Sequence, residues 1–103
     1  KKTSSGEVFD QDALTAAHAY WAFGTRVKVT FPATGKSVVV RVNDRFPSHK
    51  GRAIDLSRGA AKAIGLIGPG TGPVRLEVVE LGLRGRTPRL TGAHHGAGVR
   101  SRP

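Results

Sequence analysis

Residues Arg26-Val-Lys-Val-Thr-Phe31 alternate strictly, with Val27, Val29 and Phe31 on one face and Arg26, Lys28 and Thr30 on the other. A period of two is the pattern of a strand with one face in a core and one in water. Ser37–Val42 follows as a β-branched return strand, and Pro32-Ala-Thr-Gly-Lys36 between them offers Gly35 for a turn. A chain that carries this hairpin is built around a sheet.

The rest of the chain is consistent with a small mainly β domain. Its 103 residues suit one domain, and 14 Gly and 6 Pro cut it into short segments. Short apolar runs between turns favour a barrel or sandwich. Glu7-Val-Phe9 is expected to form a short strand. Asp12–His18 reads either as a helical turn capped by Asp12 or as an extended segment. Phe23-Gly24-Thr25 is a turn, 43–52 a polar loop and Ala53–Leu56 a short strand. Ser57 suits the N-cap of a short helix over Arg58–Ile64, stopped by Gly65. Gly68–Pro73 is a rigid turn and Val74–Val79 the last expected strand. Gly24-Thr25 before Val-Lys-Val is echoed by Gly70-Thr71 before Val-Arg-Leu-Glu-Val, as a barrel of two related halves would produce. From Gly82 the composition shifts to Gly, Arg, Pro, His and Thr. The expected division is a barrel domain over 1–81 and a flexible basic tail over 82–103.

Net charge is +10, divided equally: residues 1–81 hold 12 bases and 7 acids, and residues 82–103 hold 5 Arg and no acid. Such a chain is drawn to anionic polymers, whether nucleic acid, anionic lipid or cell-wall material. Nucleic acid is the weaker reading, because Arg26, Lys28 and Thr30 lack interleaved rings. The absence of cysteine excludes disulfides and thiolate metal sites. His94-His95 is too short for a metal site, and no metal or cofactor is called for. No apolar run approaches the roughly 18 residues that span a bilayer. The chain starts at Lys1 without Met and reads as a processed or excised piece.

Two of the seven acids occupy unusual places. Asp44 follows the β-branched strand, beside Arg45, and Asp55 stands between Ile54 and Leu56, close to Arg52. A carboxyl after a strand reaches ligands readily. Asp44 also suits an Asx turn, and Asp55 a buried carboxylate bonding loop amides or Ser57.

As a set, these segments resemble the rare lipoprotein A-like family of double-psi β-barrels. The resemblance rests on Ser5–Asp10, Ala13–His18, Phe23–Thr30, Gly35–Arg45, Gly51–Ser57, Ala60–Gly65 and Ile67–Thr71 into Val74–Val78, in order over about residues 4–80. It implies a six-stranded double-psi barrel with one or two short helices. It also implies a monomeric periplasmic or bacterial cell-surface protein of the septal ring that acts on peptidoglycan glycan strands. The implied activity is a lytic transglycosylase that cleaves the MurNAc–GlcNAc bond of peptide-free strands to 1,6-anhydro products. By position Glu7, His18, Asp44 and Asp55 match the family's catalytic set, with Asp44 ranked ahead of Asp55 as acid/base. Asn43, Arg45, Phe46, Lys50 and Arg52 are expected to bind substrate, the basic ones by attracting the lactyl carboxylate that peptide-free muramic acid exposes.

Departures from the family pattern open an alternative. Phe46 stands where Gly usually follows Asn-Asp-Arg, Ala19-Tyr-Trp-Ala22 replaces the usual Lys-Thr-Leu-Pro, and the N-terminal Ala-Ser-Trp-Tyr-Gly segment is missing. No lipidation cysteine is present, which leaves any lipid anchor to a longer protein. The rival is a non-catalytic peptidoglycan-binding or expansin-like wall-loosening module.

Overall fold

The structure, a computed structural model, describes residues 2–46, 52–82 and 94–99. Its elements are β1 (Thr15–His18), β2 (Arg26–Phe31), β3 (Lys36–Asp44), β4 (Ile54–Leu56), α1 (Arg58–Ile64), β5 (Thr71–Glu80) and β6 (His94–Val99).

The alternation in β2 turns Val27, Val29 and Phe31 inward and leaves Arg26 and Lys28 exposed. The hairpin forms as expected. The amides of Thr34 and Gly35 both donate to the Phe31 carbonyl, and Gly35 takes φ 75°. Val29 then pairs with Val38 on β3 and with Leu76 on β5. The strands close in the order β1-β3-β2-β5-β6-β4 around Val27, Val29, Val40, Val42, Ile54, Leu56 and Val74, all almost fully buried. Burial of each such side chain contributes roughly 1.5–3 kcal/mol.

The closed order has an internal twofold relation. β1 runs parallel to β3 while β2 is antiparallel to it. β4 runs parallel to β6 while β5 is antiparallel to it. The halves meet through the antiparallel pairs β1·β4 and β2·β5. Gly24 and Gly70, the repeated glycines of the sequence, both take positive φ just before the second strand of their half. This is the six-stranded double-psi barrel with one short helix.

The helix starts and stops where the sequence indicates. Ser57 Oγ accepts from the Ala60 amide, and Gly65 ends α1 in the left-handed region, φ 81°. Ser57 Oγ also donates to the Ala13 carbonyl at 2.5 Å, joining the helix to the segment before β1. No helix among the described residues is long and apolar enough to cross a membrane.

Three expectations change. Asp12–His18 is extended where it forms β1, so its helical option is lost. Glu7–Phe9 is no strand, since Val8 makes only an isolated bridge with Lys2. The barrel does not end with β5: His94–Val99, assigned to the tail, is β6 and fills the gap between β4 and β5. Its Gly-rich sequence has no strand signal. Tertiary context makes it a strand because both neighbours present an edge, and its small residues fit a crowded place. Ala97 is fully buried, and a Cβ on Gly98 would meet Arg52 Cδ at 2.9 Å. Gly82 also belongs to the fold, donating its amide to Thr25 Oγ1 at 3.0 Å. Residues 83–93 and 100–103 of the expected tail lie outside the described residues.

Candidate active site

Four strands place a row of residues at one level of the barrel. Asp55 on β4 pairs with Gly98 on β6 and with Ala17 on β1, and Ala17 pairs with Asp44 on β3. A bulge between Ala16 and Ala17 sets the last pairing. The row therefore reads Gly98, Asp55, Ala17, Asp44. Two strand spacings separate the Cα atoms of the two acids by about 10 Å. Ile54, Leu56, Ala16 and Ala97 enter the core, so their neighbours Asp55, Ala17 and Gly98 lie on the outer face.

The two carboxyls have different surroundings. The Asp55 side chain is 12% exposed and faces Arg52, with Nε 3.0 Å from Oδ1 and Nη2 donating to Oδ2 at 3.1 Å. Its register neighbours Ala17 and Gly98 are both small and both buried. Asp44 Oδ1 accepts from the amides of Ser4 and Arg45, both at 2.8 Å. Asp44 thus ties the N-terminal segment to the end of β3, the anchoring role that its turn position also suggested.

His18, one residue beyond Ala17, is buried and has a fixed tautomer. Its Nδ1 accepts from the amides of Tyr20 at 3.2 Å and Trp21 at 3.1 Å. That nitrogen carries no proton, so Nε2 carries it and is the donor. The Trp21 ring stacks on the imidazole at 4.0 Å and 4°, and the Tyr20 ring meets it edge-on at 4.9 Å. Trp21 is a core residue, whereas Tyr20 is half exposed.

Arg45 lies where its loop position predicts, but its guanidinium is engaged by the protein. Nη1 donates to the Trp21 carbonyl at 2.8 Å and the His18 carbonyl at 3.3 Å, and Cζ sits 4.1 Å from the Phe23 ring centroid. It braces the turn that orients His18. Phe46 lies under Arg52, whose Cζ is 5.7 Å from its ring centroid. Lys50 lies outside the described residues.

Glu7 and Asn43 form a second cluster. Arg41 Nη2 donates to Glu7 Oε1 at 3.0 Å, Arg41 Nη1 reaches Oε2, and Asn43 Nδ2 donates to Oε1 at 3.1 Å. The Arg41 guanidinium, and after it the Asn43 amide, hold the Glu7 carboxyl below its ordinary range, against the effect of partial burial. Glu7 in turn raises Arg41. At neutral pH Glu7 is therefore a carboxylate and cannot donate a proton. Asn43 is buried, with its carbonyl accepting from the Ser5 amide.

Sequence reasoning named both acids and His18 but missed Ala17, Gly98 and Arg41. Ala17 and Gly98 carry no chemical signal of their own. Arg41 could have been found as a charge on the polar face of a strand whose other face is Val40 and Val42.

Comparison with known proteins agrees with the barrel. The family model described as lytic transglycolase, a double-psi β-barrel domain, matches residues 1–76. A probable endolytic peptidoglycan transglycosylase RlpA of Synechocystis sp. is 58% identical over 80 residues, covering 78% of this chain and 25% of that protein. Its counterpart in Nostoc sp. is 56% identical over 79 residues, covering 77% of this chain and 21% of that protein. The endolytic peptidoglycan transglycosylase RlpA of Campylobacter jejuni is 54% identical over 82 residues, covering 80% of this chain and 30% of that protein. The chain thus spans less than a third of these relatives. With the closed six-stranded order and a match over most of its length, the chain belongs to the double-psi β-barrel lytic transglycolase family.

Proposed function

We propose that this barrel is the catalytic unit of an endolytic peptidoglycan transglycosylase. It cleaves MurNAc–GlcNAc bonds of peptide-free glycan in the periplasm or at the bacterial surface, acting as a monomer. The observation that carries the reading is Asp55, a largely buried carboxyl set between Ala17 and Gly98 with a cation beside it.

The reaction needs a single carboxyl, because the nucleophile belongs to the substrate. The protonated acid gives its proton to the glycosidic oxygen as the bond from that oxygen to the anomeric carbon breaks. The muramyl 6-oxygen then bonds to the same carbon, and its proton returns to the carboxylate. Protons balance, and no water is consumed. Ordinary glycosidases divide these tasks between two carboxylates.

Support for Asp55 rather than Asp44 comes from their partners. Asp44 accepts two backbone amides and anchors the N-terminal segment, whereas the Asp55 side chain is largely buried at the centre of the row and faces a side-chain cation. This reverses the ranking expected from sequence. His18, with its proton on Nε2, can donate to a sugar oxygen or to the site carboxylates, and the half-exposed Tyr20 ring offers a face to a sugar.

The rival reading draws on the same ion pair. A carboxylate held by Arg52 is a poor acid, as in a module that holds glycan without cleaving it. Digestion of peptide-stripped strands, with products read by mass spectrometry, separates the two. Anhydro-muramyl ends that disappear in Asp55→Asn support the enzyme; intact strands retained by the protein support the binding module.

A further inference from the structure

We propose that the seat between β4 and β5 is a docking site for an extended peptide of another polypeptide, and that β6 is its occupant in this chain. The peptide it takes has Ala-Gly followed by a β-branched residue, with an acidic residue three positions before the Ala.

The seat and its occupant come from different parts of the chain. The seat residues, Ile54–Leu56 on β4 and Thr71–Arg75 on β5, lie inside the residues 1–76 that match the family model. His94–Val99 lies beyond them. Thr71–Val74 pair with β6 and with no other strand among the described residues. Pro73 within that stretch is a residue of sheet edges. On the other side β4 offers three residues. The matched part of the barrel therefore presents two edges to one gap, and the strand that fills it is drawn from beyond the match.

β6 fits this gap by size, and little in its sequence favours a strand. Gly96 and Gly98 give up more conformational freedom than other residues when they become extended. His94 stands opposite Arg75, in a protein of net charge +10. The hold is through backbone. The Ala53 amide donates to the Gly96 carbonyl at 2.8 Å, and the Val99 amide donates to the Gly70 carbonyl at 3.2 Å. Main-chain bonds of this kind are open to any extended peptide.

Sterics supply the selectivity. Ala97 is fully buried opposite Gly72, where a Cβ would already meet the Phe31 ring at 3.0 Å. A Cβ on Gly98 would meet Arg52 Cδ at 2.9 Å and Asp55 Oδ1 at 3.2 Å. Val99 packs against the core. The seat thus reads Ala, Gly and a β-branched residue in succession. A glutamate opposite Arg75 sets an opposite charge across the strand pair, which is favourable. A free peptide needs such a gain, because a tethered strand competes at an effective concentration on the order of millimolar.

The test uses the full chain carrying Ala97→Asp, which puts a carboxyl into the core and drives β6 from its seat. The probe is a blocked, labelled peptide with the sequence of His94–Val99 carrying His94→Glu. A control peptide carries Ala97→Asp as well. Binding is read by fluorescence anisotropy and folding by thermal melting. The variant chain is expected to melt below wild type. At a hundredfold excess over Kd the probe is expected to raise its melting temperature by more than about 5 °C. The probe should also bind the variant at least about tenfold more tightly than wild type, whose own β6 competes. The control peptide should do neither. A variant that melts like wild type, or that stays unfolded with the probe, overturns the proposal. So does equal binding to variant and wild type, equal binding of probe and control, or a peptide with the original His94 that binds more tightly than the probe.

Discussion

Asp44 and Asp55 are both register partners of Ala17, one across each edge of β1. Eleven residues apart in the chain, the two acids are brought to one level of the barrel by a strand only four residues long. Their surroundings differ: Asp44 accepts two backbone amides, and Asp55 faces Arg52.

Asp55→Asn is expected to lower formation of anhydro-muramyl ends by about 10²–10⁴-fold, the usual contribution of a positioned acid/base. Asp44→Ala is expected to cost less turnover and more thermal stability, because it removes the acceptor of the Ser4 and Arg45 amides. Side-by-side rates and melting curves check the division; equal loss of turnover with unchanged melting would refute it.

His18 can be dissected by shape. Asn places an acceptor near the position of Nδ1, so His18→Asn keeps a partner for the Tyr20 and Trp21 amides but loses the Nε2 donor. It should melt close to wild type and turn over poorly. His18→Phe strands both amides, at about 1–3 kcal/mol for each buried donor. Melting temperatures that fall equally in the two variants would count against the tautomer assigned here.

Gly98→Ala puts a methyl 2.9 Å from Arg52 Cδ and 3.2 Å from Asp55 Oδ1. Overpacking of this kind costs about 1–3 kcal/mol, and here it also displaces the cation. Denaturant unfolding should show the loss; a variant as stable as wild type would refute the crowding.

Glu7→Gln removes a charge that Arg41 and Asn43 stabilise. Because the Glu7 carboxyl is lowered in the folded chain, its contribution is fully present above the ordinary carboxylate value of 4.5. It is lost as pH falls through the lowered folded value. The pair is over one-third exposed, with side chains at 39% and 36%, so solvent screening limits the effect to about 0.5 kcal/mol. The stability difference between wild type and Glu7→Gln should be visible at pH 7 and vanish well below pH 4.5. A difference that persists in strong acid would place its origin elsewhere.

Much of the fold was legible locally. β2 and β3 announce themselves by alternation and β-branching, and α1 by Ser57 and Gly65. β6 was not legible, because Gly96, Ala97 and Gly98 owe their strand to the edges of β4 and β5 and to the bulk of Arg52, not to their own propensity. In the site, chemical type revealed Asp44, Asp55 and His18. It could not tell that Arg45 faces carbonyls rather than a ligand, since a hydrogen bond to residues 18 and 21 depends on how the chain returns. Nor could it single out Ala17, whose importance is purely topological.

The two halves of the barrel are related by a twofold that exchanges the central partners Ala17 and Asp55, and with them Asp44 and Gly98. Each exchanged pair holds one acid and one small residue. The backbone would thus look alike to a ligand approaching from either end, while the side chains do not. A directional polymer laid across this row would meet Asp44 towards one end and Gly98 towards the other. A direction is thus written into a nearly symmetric frame by which member of each pair carries the charge.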